Sequence, residues 1–324
     1  MNFKTYILKV IFVVILFILP DKNIFSQVGL YSDIEWERSL GGTNYDYGFE
    51  SQITSDGGYI ITGWSSSIDG EVTGNHGETD YWVVKLDSSR IIVWQKSLGG
   101  LHYESSTTIL ETSDGDFMVG GNSISRTGDV GNNYGDPDAD DQTNDIWVVK
   151  LDPNGLIIWE QNYGGSNNES CKSIIETSSG EFVIAGTASS YDHDVTGLHG
   201  DYDIWIIKID TDGMLLFAKT FGGSDIEYAG EIKETIDGGF IVAGSSYSNN
   251  FDLDDNYGES DVWVLKLDSI GELEWQKNLG GSSVDDANSI IQTDDGGFVM
   301  AGRSSSNDGD LTENKGALDF WIVN

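Results

Sequence analysis

The 324-residue chain carries 54 Asp and Glu against 17 Lys and Arg, a formal charge of −37. A surface that acidic repels nucleic acid and anionic lipid and attracts cations or basic partners. With 3 Pro, a single cysteine (Cys171) and no window of sustained 3.6-residue apolar period, the chain is neither a disulfide-stapled scaffold nor a helical solenoid.

Residues 1–26 read as a signal peptide. Lys4 and Lys9 precede the apolar run Val10–Leu19, and Pro20 and the small Ser26 follow it, so cleavage is expected near Ser26–Gln27. The run is too short to cross a bilayer comfortably, and no later segment is apolar enough to do so. The remainder, 27–324, is therefore expected outside the cell, without a membrane span.

Gly-Gly pairs at Gly41-Gly42, Gly99-Gly100, Gly164-Gly165, Gly222-Gly223 and Gly280-Gly281 recur at intervals of 58, 65, 58 and 58 residues. Each pair begins the same four-strand pattern. A first strand resembling SIIET leads through an SDGG-type turn to a second such as GFIVAG (Gly239–Gly244). Asp-Gly and Gly-Gly at a two-residue corner supply the positive φ that a hairpin requires. A long polar loop follows, then a third strand such as DYWVVKLD (Asp80–Asp87), a short turn and a fourth strand, IIVWQKSLGG (Ile91–Gly100). The seven extra residues of the second unit, Asp136–Gln142, fall in one loop, where a packed repeat tolerates them.

Four short strands per unit, repeated, predict an all-β β-propeller; the rungs of a β-helix are shorter and lack tight antiparallel hairpins. The repeats run over about 43–98, 101–163, 166–221, 224–279 and 282–324, with the strand-like segment 34–40 expected to complete the last of five four-stranded blades. The pattern SIIETSDGGFIVAG…DxWVVKLD…WQKxLGG resembles a family of secreted β-propeller repeat proteins of Bacteroidetes over about residues 34–324. The resemblance implies a propeller fold and an exported protein, in a family that often carries a type IX secretion sorting domain.

In such a blade the loop between repeats and the loop between second and third strands share a face, and both are acidic. The first carries Asp46, Glu104, Glu169, Glu227 or Asp285, always four residues after the Gly-Gly pair. The second carries Asp69 and Glu71, Asp129, Asp192 and Asp194, Asp252 and Asp254, and Asp308 and Asp310. Alternating carboxylates in an oxygen-rich loop suit calcium, which takes six to eight oxygens, although no EF-hand is present. The alternative is that they cap turns by accepting local backbone N–H groups, which is also the better account of Asp80 and its equivalents.

Trp82, Trp147, Trp205, Trp263 and Trp321 recur in register and are expected in the core, whereas Trp64 stands where other units have Asn122, Thr187, Ser245 and Arg303. A non-recurrent Trp near the acidic face is a candidate carbohydrate contact. The four histidines (His76, His102, His193 and His199) form no recognisable catalytic set, and neither a nucleophile motif nor a phosphate loop is present. The expected function is an exported, non-enzymatic binding or scaffold module, with an acidic and calcium-holding loop face for a protein or glycan partner. The alternative is a secreted glycan hydrolase using the Asp46, Glu104, Glu169, Glu227 and Asp285 carboxylates at a channel mouth.

Overall fold

A computed structural model describes residues 34, 36–131, 133–135, 143–253 and 256–324. The signal-peptide segment, the insert 136–142 and Asp254 lie outside the described residues. The chain divides into two compact units, Met1–Ser39 and Leu40–Asn324, and all the described strands belong to the second.

Five antiparallel sheets follow one another along the chain. The first holds β1 (Asp46–Ile53), β2 (Tyr59–Ser65), β3 (Asp80–Leu86) and β4 (Ile92–Leu98), paired in that order. The second holds β5 (Glu104–Glu111), β6 (Phe117–Ser123), β7 (Asp145–Leu151) and β8 (Ile157–Tyr163). The third holds β9 (Glu169–Glu176), β10 (Phe182–Ala188), β11 (Asp203–Ile209) and β12 (Leu215–Phe221). The fourth holds β13 (Glu227–Glu234), β14 (Phe240–Ser246), β15 (Asp261–Leu267) and β16 (Leu273–Leu279). The fifth holds β17 (Asp285–Gln292), β18 (Phe298–Ser304) and β19 (Asp319–Val323).

The fifth sheet therefore has three strands. Residue 34 and residues 36–40, part of the segment expected to supply its fourth, have no strand geometry. In the other sheets a seven-residue fourth strand lies along a seven-residue third, whereas β19 has five residues, two of them the exposed Phe320 (83%) and Ile322 (65%).

The hairpin corners form as the repeat dictates; Gly115, for example, turns its corner at φ 88°, where a Cβ is strained. Third strands are buried from end to end in the first four sheets, Lys208 of β11 alone being partly exposed, because both of their faces are covered. Consecutive sheets pack face to face. Tyr81 and Val83 of the first sheet meet Phe117, Val119 and Trp147 of the second. Ile146 and Val148 of the second meet Ile184, Trp205 and Ile207 of the third. The third and fourth, and then the fourth and fifth, repeat the arrangement around Trp263 and Trp321. Trp147, Trp205 and Trp263 are each fully buried, worth roughly 4–6 kcal/mol apiece by transfer of about 150–250 Å² from water.

At the short-turn end, the third-strand lysine of each four-stranded sheet reaches a carboxylate of the neighbouring hairpin. Lys85–Asp56 is 2.9 Å, Lys150–Asp114 3.0 Å, Lys208–Glu181 2.7 Å and Lys266–Asp237 3.1 Å. The pairs hold Asp56, Asp114, Glu181 and Asp237 below the usual carboxylate range, with Thr54, Thr112 and Thr235 hydroxyls the larger cause at three of them. That end is built for stability.

Candidate binding site at the sheet axis

The inner strands β1, β5, β9, β13 and β17 all carry a register shift near their middle. Such a bulge leaves extra residues outside the ladder and re-aims their side chains. The displaced residues are Phe49, Thr107, Lys172, Gly230 with Glu231, and Asn288. All of them line one cavity of about 270 Å³, so it receives residues from every sheet and marks the common axis. Lys172 and Asn288 also line a larger cavity of about 490 Å³, with Tyr228, Tyr247, Asp286 and Arg303.

Just before each bulge, one residue of the inner strand pairs across the ladder with one residue of the second strand. These couples are Tyr47 with Trp64, Ser105 with Asn122, Ser170 with Thr187, Tyr228 with Ser245, and Asp286 with Arg303. No two couples are alike, although the glycine before the second-strand member, Gly63, Gly121, Gly186, Gly244 or Gly302, recurs in every repeat. Tyr47 and Trp64 stack with centroids 4.5 Å apart, and the Asp286 carboxylate accepts from Arg303 Nε at 2.8 Å. Trp64, the candidate carbohydrate contact, is half-buried as one ring of this stack and occupies the same repeat position as Arg303.

The carboxylates of the acidic loops accept backbone N–H groups, the arrangement of the turn-capping reading. Glu104, Glu169, Glu227 and Asp285 are fully or almost fully buried, and Asp46 is half-buried. Each accepts the N–H of the Gly-Gly pair behind it: Gly42 to Asp46 at 2.8 Å, Gly100 to Glu104 at 2.7 Å, Gly165 to Glu169 at 2.8 Å, Gly223 to Glu227 at 2.7 Å and Gly281 to Asp285 at 2.8 Å. Serine hydroxyls occupy second oxygens, as Ser123 does on Glu104 at 2.8 Å. These carboxylates pin the connection between sheets, and none lines either cavity. The reason is local: four residues is the reach at which a carboxylate folds back onto its own loop.

The pairs expected to hold calcium are also engaged by backbone. Asp69, Asp192 and Asp308 accept the N–H of Thr43, Ser166 and Ser282 at 2.7–2.8 Å. Glu71, Asp129, Asp194, Asp252 and Asp310 accept the N–H of the first Gly of each pair at 3.1–3.3 Å. Among the described residues no group of three or more His, Cys, Asp or Glu side chains is placed to hold a metal ion.

The junctions between sheets nevertheless carry an unusual electrostatic load. Asp80, Asp145, Asp203 and Asp261, each essentially inaccessible, open their third strands and face the inner-strand carboxylate of the next sheet. One oxygen of each accepts a backbone N–H, from His76, Tyr134, His199 or Tyr257 at 2.6–2.9 Å. The other, Oδ1, has no hydrogen-bond partner. Burial raises Asp145 to about 8, and Asp203 and Asp261 to about 6, with the next sheet's Glu169, Glu227 or Asp285 adding repulsion. Burial likewise raises Glu104 to about 7, with Asp80 adding to it. Burial and the like charge opposite thus keep Asp145 and Glu104 protonated close to neutrality. His76 Nδ1 lies 2.7 Å from Asp80 and its Nε2 3.8 Å from Asp129, so an imidazole spans the first junction.

Sequence reasoning missed Lys172, Tyr228, Tyr247, Asp286, Asn288 and Arg303. Their signal was available in inverted form: in repeats aligned on Gly-Gly, the axis positions are those that fail to recur.

Antiparallel sheets packed in sequence, with their inner strands gathered about an axis, define an all-β protein of propeller type. No protein-family model matches the chain. A curated relative, the regulatory protein FlaEY of Caulobacter vibrioides, is 25% identical over 160 residues, which is 46% of this chain and 17% of that protein. A solved structure of a Dyadobacter fermentans protein of unknown function matches at TM-score 0.47 with 10% identity, over 88% of this chain and 81% of that one. The endo-1,5-α-L-arabinanase of Thermotoga petrophila matches at 0.33 with 12% identity, over 77% and 57%.

Proposed function

We propose that the chain is an exported, non-catalytic binding module that holds a glycan or protein partner at the axial end of its sheets. One observation carries the reading: the bulged residues and three of the five cross-strand couples, Ser170 with Thr187, Tyr228 with Ser245 and Asp286 with Arg303, differ from repeat to repeat and border the two cavities. Residues that hold a sheet together are repeated; residues that meet a partner are free to differ. Glu50 and Glu231, the carboxylates in the smaller cavity, accept the N–H of Ile109 at 2.7 Å and of Ile290 at 3.1 Å. They tie one sheet to the next, which weighs against the hydrolase reading.

The test is a screen of the purified chain on an array of polysaccharides and bacterial surface proteins, in parallel with Trp64→Ala and Tyr228→Ala. The expected result is a ligand whose affinity falls at least tenfold in one variant while Tm is unchanged. Turnover of a glycan, abolished by a single carboxylate substitution, would establish the alternative.

For calcium the reading moves from the loops to the junctions, where the unpartnered Oδ1 atoms face a second carboxylate. A cation there competes with the proton that burial keeps on Asp145 or Glu104. Calcium is therefore expected to raise Tm at pH 8 and to lose the effect at pH 5; a response that ignores pH, or none at pH 8, overturns it.

A further inference from the structure

The larger cavity has a chemistry at odds with the rest of the molecule. The chain carries −37, with 54 acidic side chains against 17 basic ones, yet this cavity holds Lys172 and Arg303 against one carboxylate, Asp286. Lys172 is exposed, is displaced by the β9 bulge, and pairs with no carboxylate within 4.0 Å among the described residues. A cation retained at the axis of so acidic a protein, without a partner of its own, is an available charge.

Arg303 is differently prepared. Asp286 engages its Nε, at 3.1 and 2.8 Å through the two oxygens, and no bond to either terminal nitrogen is present among the described residues. The guanidinium is thus fixed in position with donors to spare, which is the state that favours recognition of a planar anion. Tyr228 (48% exposed) and Tyr247 (42% exposed) add aromatic faces with polar tips to the same wall. Ser170, Ser245 and Asn288 add hydroxyl and amide groups that both donate and accept. Aromatic faces, a few neutral hydrogen-bonding groups and unspent cations around about 490 Å³ match a sugar ring bearing an acidic group.

We infer that the cavity between the third, fourth and fifth sheets takes an anionic saccharide unit, with Lys172 and Arg303 meeting its acidic group and Tyr228 and Tyr247 flanking the ring. The inference rests on the binding-module reading and narrows its partner to an acidic glycan. The acidic group is a carboxylate or a sulfate ester, and the two sources are separated by the ligands below.

Calorimetric titration of the full chain in 150 mM NaCl would use three tetrasaccharide-length probes: an oligogalacturonate, a sulfated oligogalactan and a neutral oligogalactan. The expected result is binding of one or both acidic probes, at least tenfold weaker binding of the neutral probe, and a tenfold or greater loss of affinity in Lys172→Met. Lys233→Met, a cation outside this cavity held by Glu231 at 2.6 Å, should leave affinity unchanged. Equal binding of neutral and acidic probes, or an unaffected Lys172→Met, overturns the inference and leaves the binding module standing. Failure of all three probes also overturns it, and a protein ligand from the array would then carry the broader reading alone. Unchanged Tm in both variants shows that the comparison concerns the cavity and not the fold.

Discussion

Gly99, Gly164, Gly222 and Gly280 each stand where a Cβ would collide with two carboxylates. At Gly99 it would lie 2.5 Å from Glu104 Oε2 and 2.8 Å from Asp80 Oδ1, and at Gly164 it would meet Asp145 and Glu169 in the same way. None of the four has a positive φ, so the demand is for space and not for backbone freedom. Gly164→Ala is therefore expected to destabilise by about 1–3 kcal/mol in urea unfolding, the cost of forcing a methyl group into a filled site. A loss below about 0.5 kcal/mol would show that the carboxylates move aside freely. The Gly-Gly pair was plain in the sequence as a register mark. Its purpose was not, because the two carboxylates that occupy the missing side chain's place come from third and first strands separated by a turn, a strand and a loop.

At the scale of elements, the junction carboxylates give stability a definite pH dependence. In the unfolded chain Asp and Glu titrate near 4. In the folded protein burial holds Glu104 to about 7, Asp145 to about 8, and Asp203 and Asp261 to about 6. Between those limits the folded state binds more protons than the unfolded state, so stability falls as pH rises from about 4 to 8. Tm by calorimetry is expected to be higher at pH 5 than at pH 8 by roughly 5 °C or more, and a flat profile would mean that burial does not hold these carboxyls protonated. Asp145→Asn replaces one charge by a neutral amide that can donate to Glu169. It should raise Tm at pH 8 and leave it nearly unchanged at pH 5. The strands themselves were readable from the hairpin corners and from runs such as DYWVVKLD. The bulges were not, because the inner strands carry their Ile residues only after the displaced residue, so no apolar alternation precedes it to fall out of step.

Across the molecule each sheet is held by its neighbours in the chain. The third sheet contributes to two cores, one on each face, whereas the fifth packs on the fourth and leaves Phe320 and Ile322 exposed. Stability in such an arrangement is a sum of nearest-neighbour terms. Amide hydrogen exchange is expected to be slowest in β10 and β11 and fastest in β18 and β19, by factors of at least a hundred between the two groups. Uniform protection would mean that the sheets unfold as one unit. The propeller class was legible in the sequence because four strands recurred in each repeat. The contribution of 34–40 was not, since the sequence IEWERSL matches the repeat's fourth strand while the described residues of that segment have no strand geometry.

The displaced residue in each inner strand has a further meaning. Because Phe49, Thr107, Lys172 and Asn288 stand outside the ladder, exchanging one for another leaves the hydrogen-bond register of each sheet intact, although Thr107 also donates to Cys171 O of the next sheet at 3.1 Å. Duplication of the repeat thus multiplies a rigid frame, while one adjustable letter per copy is written at the axis. A lineage of such chains can alter what it recognises one sheet at a time, without renegotiating how the sheets fit together.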